Sequence, residues 1–231
     1  MTKISRSFVL LFSYLCEDKT SFNPKKMSYN KFKRLEMLRT QFGINDIQMA
    51  WIPKNLPLKT ATDLLLTMLK EAELEALGTE KAKSESVVVP ILKELRRTNL
   101  NNFNTFSGFE FNVDVKNGLN GFCDFILSSE TKKLEISAPI ICLVEAKKGE
   151  IEEGLAQCGA EMYAAQIFNE KKGKPRKAIY GCVTNAFLWC FMKLENNKDL
   201  LIDPNYVPLT FTEPEKVLAT WQFILDKSLA N

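Results

Sequence analysis

A mixed α/β fold, with a central β-sheet and helices packed on it, is predicted for this chain by two observations. The first is a repeated switch of hydrophobic period. Helix-spaced segments alternate with short, almost wholly apolar runs of strand length. The second is the order of those segments after residue 79, which reads helix, three strands, helix, strand, strand. Three strands joined by short loops can form a meander. The helix that follows must cross over, most simply to a strand parallel with the third. The 231 residues are 45% hydrophobic and 26% charged, enough for one sizeable domain or a domain with an added lobe.

The elements follow in order. "FVLLFSYLC", residues 8–16, is too short for a membrane span and has no cleavage site after it, so it reads as a packing segment. Residues 17–34 are polar and basic, a loop leading into a helix, "KFKRLEMLRTQFGI", that stops at Gly43. "WIPKNLPLK" is a proline-punctuated connector. "TATDLLLTMLKEAELEAL" is a helix with Thr60 or Thr62 as N-cap and Gly78 as its stop. Residues 1–78 form a mainly helical extension, and residues 79–231 the main domain.

"TEKAKSESVVVPILKELRR" is a helix kinked near Pro90. Three strands follow, "FSGFEFNVD", "GFCDFILSS" and "APIICLVEAK", the first two joined by a loop with turn-prone Asn-Gly pairs. "EIEEGLAQCGAEMYAAQIFNE" is a long helix whose Ala and Gly residues permit close packing on a sheet. After the loop "KKGKPRK" come the strands "AIYGCVTN" and "FLWCFMKLE". A last helix, "PEKVLATWQFILDKSL", starts at Pro214, which suits a first turn.

Composition narrows the chemistry. There is no histidine, which excludes Ser-His-Asp and Cys-His catalysis within the chain. None of the six cysteines forms a CxxC pair, so they read as reduced, buried thiols of a cytoplasmic protein and not as zinc ligands. The net charge of +3 is too small to argue for a nucleic-acid partner by itself.

One strand end carries an unusual pair. In "ICLVEAKKGE" Glu145 and Lys147 interrupt the most apolar strand, two residues apart and on the same face. Asp124 sits between apolar neighbours in the preceding strand. If the two strands are neighbours, two carboxylates and a lysine converge. That donor set suits Mg²⁺ or Mn²⁺, with water and a phosphate completing the shell.

Asp124, twenty intervening residues and then Glu145-Ala146-Lys147 resemble the PD-(D/E)xK nuclease superfamily, over about residues 79–195. The proline of the motif is replaced here by Cys123. The resemblance implies a restriction-endonuclease-like core of order α-β-β-β-α-β. It implies catalytic roles for Asp124, Glu145, Lys147 and Gln157, with Asp124 and Glu145 on the metal and Lys147 assisting the attacking water. It also implies an acidic residue from the preceding helix. Glu80 and Glu85 both flank its apolar face, and the sequence does not choose between them. In the following helix Gln157 and Glu161 share a face, with Glu153 a turn earlier.

Residues 171–177 hold five positive charges, Lys171, Lys172, Lys174, Arg176 and Lys177. They are candidates for phosphate-backbone contacts, against the simpler reading of a solvated loop. Phe187 and Trp189 read as core before base-stacking platforms. The expected function is metal-dependent hydrolysis of nucleic acid, DNA in first place, with no membrane partner and a homodimer left open. The alternative is a catalytically silent nuclease fold that binds nucleic acid or a protein. A carboxylate-pair glycosidase ranks third, because it would not need Lys147.

Overall fold

The computed structural model describes residues 28–196 and 198–230. The run 8–16 and Cys16 lie outside them. Helix α1, Leu35–Phe42, ends at Gly43, whose φ of 68° is the left-handed cap that glycine adopts without a Cβ clash. Strand β1, Asn45–Gln48, and helix α2, Asp63–Glu73, follow. The side chain of Thr62 caps α2 by accepting from the Leu65 N–H, which settles the choice between the two threonines. This helix stops at Leu74, ahead of Gly78.

The kinked helix is three pieces in series. They are α3 (Glu80–Lys83), a π-helical turn (Ser84–Val88) and α4 (Val89–Thr98). Pro90 has no N–H and its ring crowds the carbonyl four residues back. The wide turn just before it, in which the Val89 N–H reaches the Ser84 carbonyl, relieves that crowding.

The remaining elements are strands β2 (Asn104–Glu110), β3 (Phe122–Ser128) and β4 (Ile140–Ala146), helix α5 (Glu152–Lys171), strands β5 (Ala178–Thr184), β6 (Leu188–Glu195), β7 (Asp199–Ile202) and β8 (Val207–Pro208), and helix α6 (Glu215–Leu229). They build one open, mixed sheet of order β1-β7-β6-β5-β4-β3-β2, with β8 added on β6. As the element order predicts, β2, β3 and β4 form an antiparallel meander, and α5 crosses over to β5, parallel with β4. Among the described residues, the only other parallel pair is β1 with β7. Residues 28–78 therefore contribute a strand to the same sheet.

Each face of the sheet buries a core. On one, α2, α4 and α6 cover Val144, Cys182 and Phe191. Trp221 meets Trp189 and Phe191 edge-on there, at 6.3 and 5.3 Å between ring centres. Trp189 is thus core. On the other face α1 and α5 cover Leu143, Ile179, Val183 and Met192. Cys123, Cys142, Cys158, Cys182 and Cys190 are unpaired and buried. Among the described residues, no helix is long and apolar enough to cross a membrane.

Candidate active site

Strand β4 is buried along its whole length, and Glu145, its last residue but one, is 2% exposed. The antiparallel register pairs Phe125 with Val144, which sets Asp124 beside Glu145. The chain then leaves the sheet, but not freely. The Lys147 N–H donates to the Thr184 carbonyl (2.8 Å), the Lys83 ammonium to the Lys148 carbonyl (2.7 Å), and the Asn185 amide to the Gly149 carbonyl (3.1 Å). Lys83 and Asn185 carry no motif, so nothing in the sequence marks them as supports of this turn.

Four side chains form one hydrogen-bonded line. The Lys147 ammonium donates to Glu145 Oε1 in a short, buried ion pair and to Gln157 Oε1 at 3.3 Å. Gln157 Nε2 donates to Glu161 Oε1 at 3.2 Å. Asp124 Oδ2 accepts from the Ala146 N–H at 2.8 Å. The spacing of Gln157 and Glu161, one turn apart on α5, brings both to the end of β4, and both are buried.

Gly154 allows this approach. A Cβ there would lie 2.6 Å from Val183 Cγ1 and 3.1 Å from Lys147 Cε. Only glycine lets the first turn of α5 rest on β5 and on the lysine stem.

The charges oppose one another. Burial raises the proton affinity of Glu145, and Asp124 raises it further; Lys147 only partly offsets these effects. Glu161 is pushed well up by burial, then by Glu145 and Asp124. Asp124 is raised by burial, against the Ala146 N–H, with Glu80 adding to the rise. Burial, the largest single effect, would lower Lys147, but Glu145, Glu80 and Asp124 together outweigh it and raise it.

Glu80 and Glu85 both line a shallow pocket of about 250 Å³ that opens on Asp124. They differ in coupling. Glu80 acts electrostatically on Asp124, Glu145 and Lys147, whereas Glu85 pairs with Lys81 at 3.8 Å. Glu153 is exposed on the first turn of α5.

The side chains of this cluster bear on the divalent cation that the sequence resemblance implies. Glu145 Oε2 and Glu161 Oε2 are buried without a hydrogen-bond partner, and the carboxylates repel one another. Clustered oxygen donors short of positive charge suit a hard cation. Among the described residues, no three His, Cys, Asp or Glu side chains stand already gathered at ligand spacing. The ammonium of Lys147 sits on Glu145 Oε1, which leaves Oε2 as the open oxygen of that carboxylate.

The basic loop lies elsewhere. Ala178 starts β5 at the end opposite to Val183, the partner of Glu145, roughly 16 Å away at 3.3 Å per residue. Lys174 pairs with Glu130, and Arg176 donates to Ser129 Oγ (3.1 Å). Lys171 donates to the Val113 carbonyl, and Lys172 lies over the Phe168 ring. Phe187, partly exposed, meets Phe211 edge-on and lies beneath Lys83. The sequence matches no known family model, and no curated protein matches it.

Proposed function

We propose that this chain is a divalent-cation-dependent nuclease that hydrolyses phosphodiester bonds of nucleic acid, DNA in first place, with a restriction-endonuclease-like core. The convergence of Asp124, Glu145 and Lys147 at the end of β4, braced by Gln157 of α5, carries this reading. The frame of helix, three antiparallel strands, helix and parallel strand supports it.

Asp124 and Glu145 would hold the cation, with Glu80 at the pocket rim and Glu161 behind them, hydrogen-bonded to Gln157. A bound Mg²⁺ or Mn²⁺ supplies positive charge for the phosphate and makes nearby water more acidic. Hydrolysis adds water across the P–O3′ bond. Held beside Glu145, the Lys147 ammonium is placed to orient that water and to offset charge on the phosphate. Gln157 keeps the lysine pointed into the cluster instead of into solvent.

The test is cleavage of plasmid and of labelled oligonucleotides with Mg²⁺ or Mn²⁺, set against EDTA. Cutting should need the cation and vanish in Asp124→Asn, which should also lose calorimetric Mn²⁺ binding. Lys147→Ala should lower turnover by roughly 10²–10³-fold, the cost of removing one donor that stabilises developing charge. The exposed neighbour Lys148 provides the comparison, and Lys148→Ala should cut nearly normally. Equal cutting by the two alanine variants would remove the catalytic role of Lys147. One observation favours a second reading, a silent module that binds without cutting. Glu145 and Asp124 already have internal partners, Lys147 and the Ala146 N–H. Binding in EDTA with no cleavage in either cation would establish that reading.

A further inference from the structure

A groove of about 420 Å³ lies between the connector 52–58, the β7–β8 turn and the first turns of α6. Its walls include Ile52, Leu56, Tyr206 and Val207, and its rim carries Lys54 and Lys216. Asp203 also lines it, but that carboxylate is committed inward. Its Oδ2 accepts from the N–H groups of Trp51 and Ile52, and its Oδ1 from the N–H and side-chain amide of Asn205. Both lysines are exposed, and neither is among the ion pairs described. The rim therefore presents net positive charge above an apolar slot with one phenol ring.

The groove opens at the same end of the strands as the carboxylates, on the α6 face of the sheet, whereas Glu145 and Gln157 meet on the α5 face. Ala146 pairs with Thr184, Thr184 with Trp189, and Trp189 with Val207, so all four lie in one row across the sheet. Three strand steps of about 4.8 Å put Val207 roughly 14 Å from the end of β4. At about 3.4 Å per nucleotide along one strand, that is about four steps. Tyr206 also ties the groove to α5, since its hydroxyl donates to Glu152 Oε1 at 2.9 Å.

We infer that this groove seats an unpaired nucleotide of a single-stranded segment of the substrate, its base in the apolar slot and its phosphates on Lys54 and Lys216. The inference rests on the nuclease reading. A base reaches a concave slot only when it is out of its stack, which excludes an intact duplex there. The volume lies in the range of small-ligand sites. An aromatic ring with flanking cations is the chemistry that holds single strands without sequence preference.

The experiment is fluorescence anisotropy of a fluorescein-labelled oligo(dT) 12-mer and of a 12-base-pair duplex, in EDTA, with the full chain. The single strand should bind more tightly than the duplex. Lys54→Glu/Lys216→Glu should weaken single-strand binding about tenfold or more. It should also flatten the salt dependence by about 0.7 for each phosphate that the lysines no longer neutralise. The charge-matched pair Lys132→Glu/Lys133→Glu, exposed in the β3–β4 loop at the far end of the sheet, should do neither. Three results would overturn the groove: an unchanged affinity and slope, an equal weakening by the far-end pair, or a wild-type chain that binds no single strand. EDTA removes cutting from the readout, so failure here with cutting intact overturns the groove alone. Groove binding without cutting in either cation overturns the active-site reading alone.

Discussion

Glu145 is a carboxylate that the fold makes hard to ionise. Burial and the nearby Asp124 raise its proton affinity from an ordinary 4.5, and its ion pair with Lys147 does not cancel the rise. The folded state then keeps a proton that the unfolded chain has released. Its contribution to stability therefore falls as pH rises above about 4.5. In chelator, Glu145→Gln should raise the melting temperature at pH 8 and change it little at pH 4.5. A gain on the order of 1 kcal/mol corresponds to ~2–4 °C for a chain of this size. A lower melting temperature at pH 8 would mean that the ion pair dominates instead. The same variant should lose Mn²⁺ binding, the usual opposition between stability and function at a charged site.

At the scale of elements, the contact of α5 with β5 is the tightest constraint on the site. A methyl group on Gly154 would press on Val183, a stiff β-branched side chain at 0% exposure, and on the stem of Lys147. Gly154→Ala gains up to ~1 kcal/mol of helix propensity but meets an overpacking cost of ~1–3 kcal/mol. The net should be a lower melting temperature, by a few degrees; a higher one would show that the helix can lift. The small residues of α5 announce this packing in the sequence, and the apolar runs of β3, β4 and β5 announce a sheet. Asp124, Glu145, Lys147, Gln157 and Glu161 are legible as a group because a strand has period two and a helix repeats near four. Other elements are not legible. Strand β1 is the polar "NDIQ", β7 has four residues and β8 only two, so none shows a period. The choice between Glu80 and Glu85 depends on the π-helical turn, which shifts the helix phase between them. The position of the basic loop follows from the crossover, because a parallel connection returns the chain to the far end of the sheet.

For the whole molecule, the sheet is a wall shared by two cores, and the buried thiols report on it. Burial raises all five described cysteines, Cys190 to about 12 and Cys123, Cys158 and Cys182 well above their ordinary value. In a Cys16→Ser background, native protein at pH 8 should be inert to a thiol-specific disulfide reagent. In denaturant all five should become reactive in one transition, since Cys142 and Cys182 face one core and Cys158 and Cys190 the other. Two separate transitions would mean that the cores melt independently.

The parallel pairing of β1 with β7 also has a consequence in time. Asn45 and its partner Asp199 are 154 residues apart. At about 5–20 residues per second, roughly 8–30 s of synthesis separate the two strands. Through that interval β1 has no partner, while the meander β2–β4 can already pair among near neighbours. The edge strand β1 is therefore made first among the described strands and pairs only after β2–β6 have been made. A ribosome stalled before residue 199 would hold a sheet whose central strands are assembled and whose outermost strand still waits.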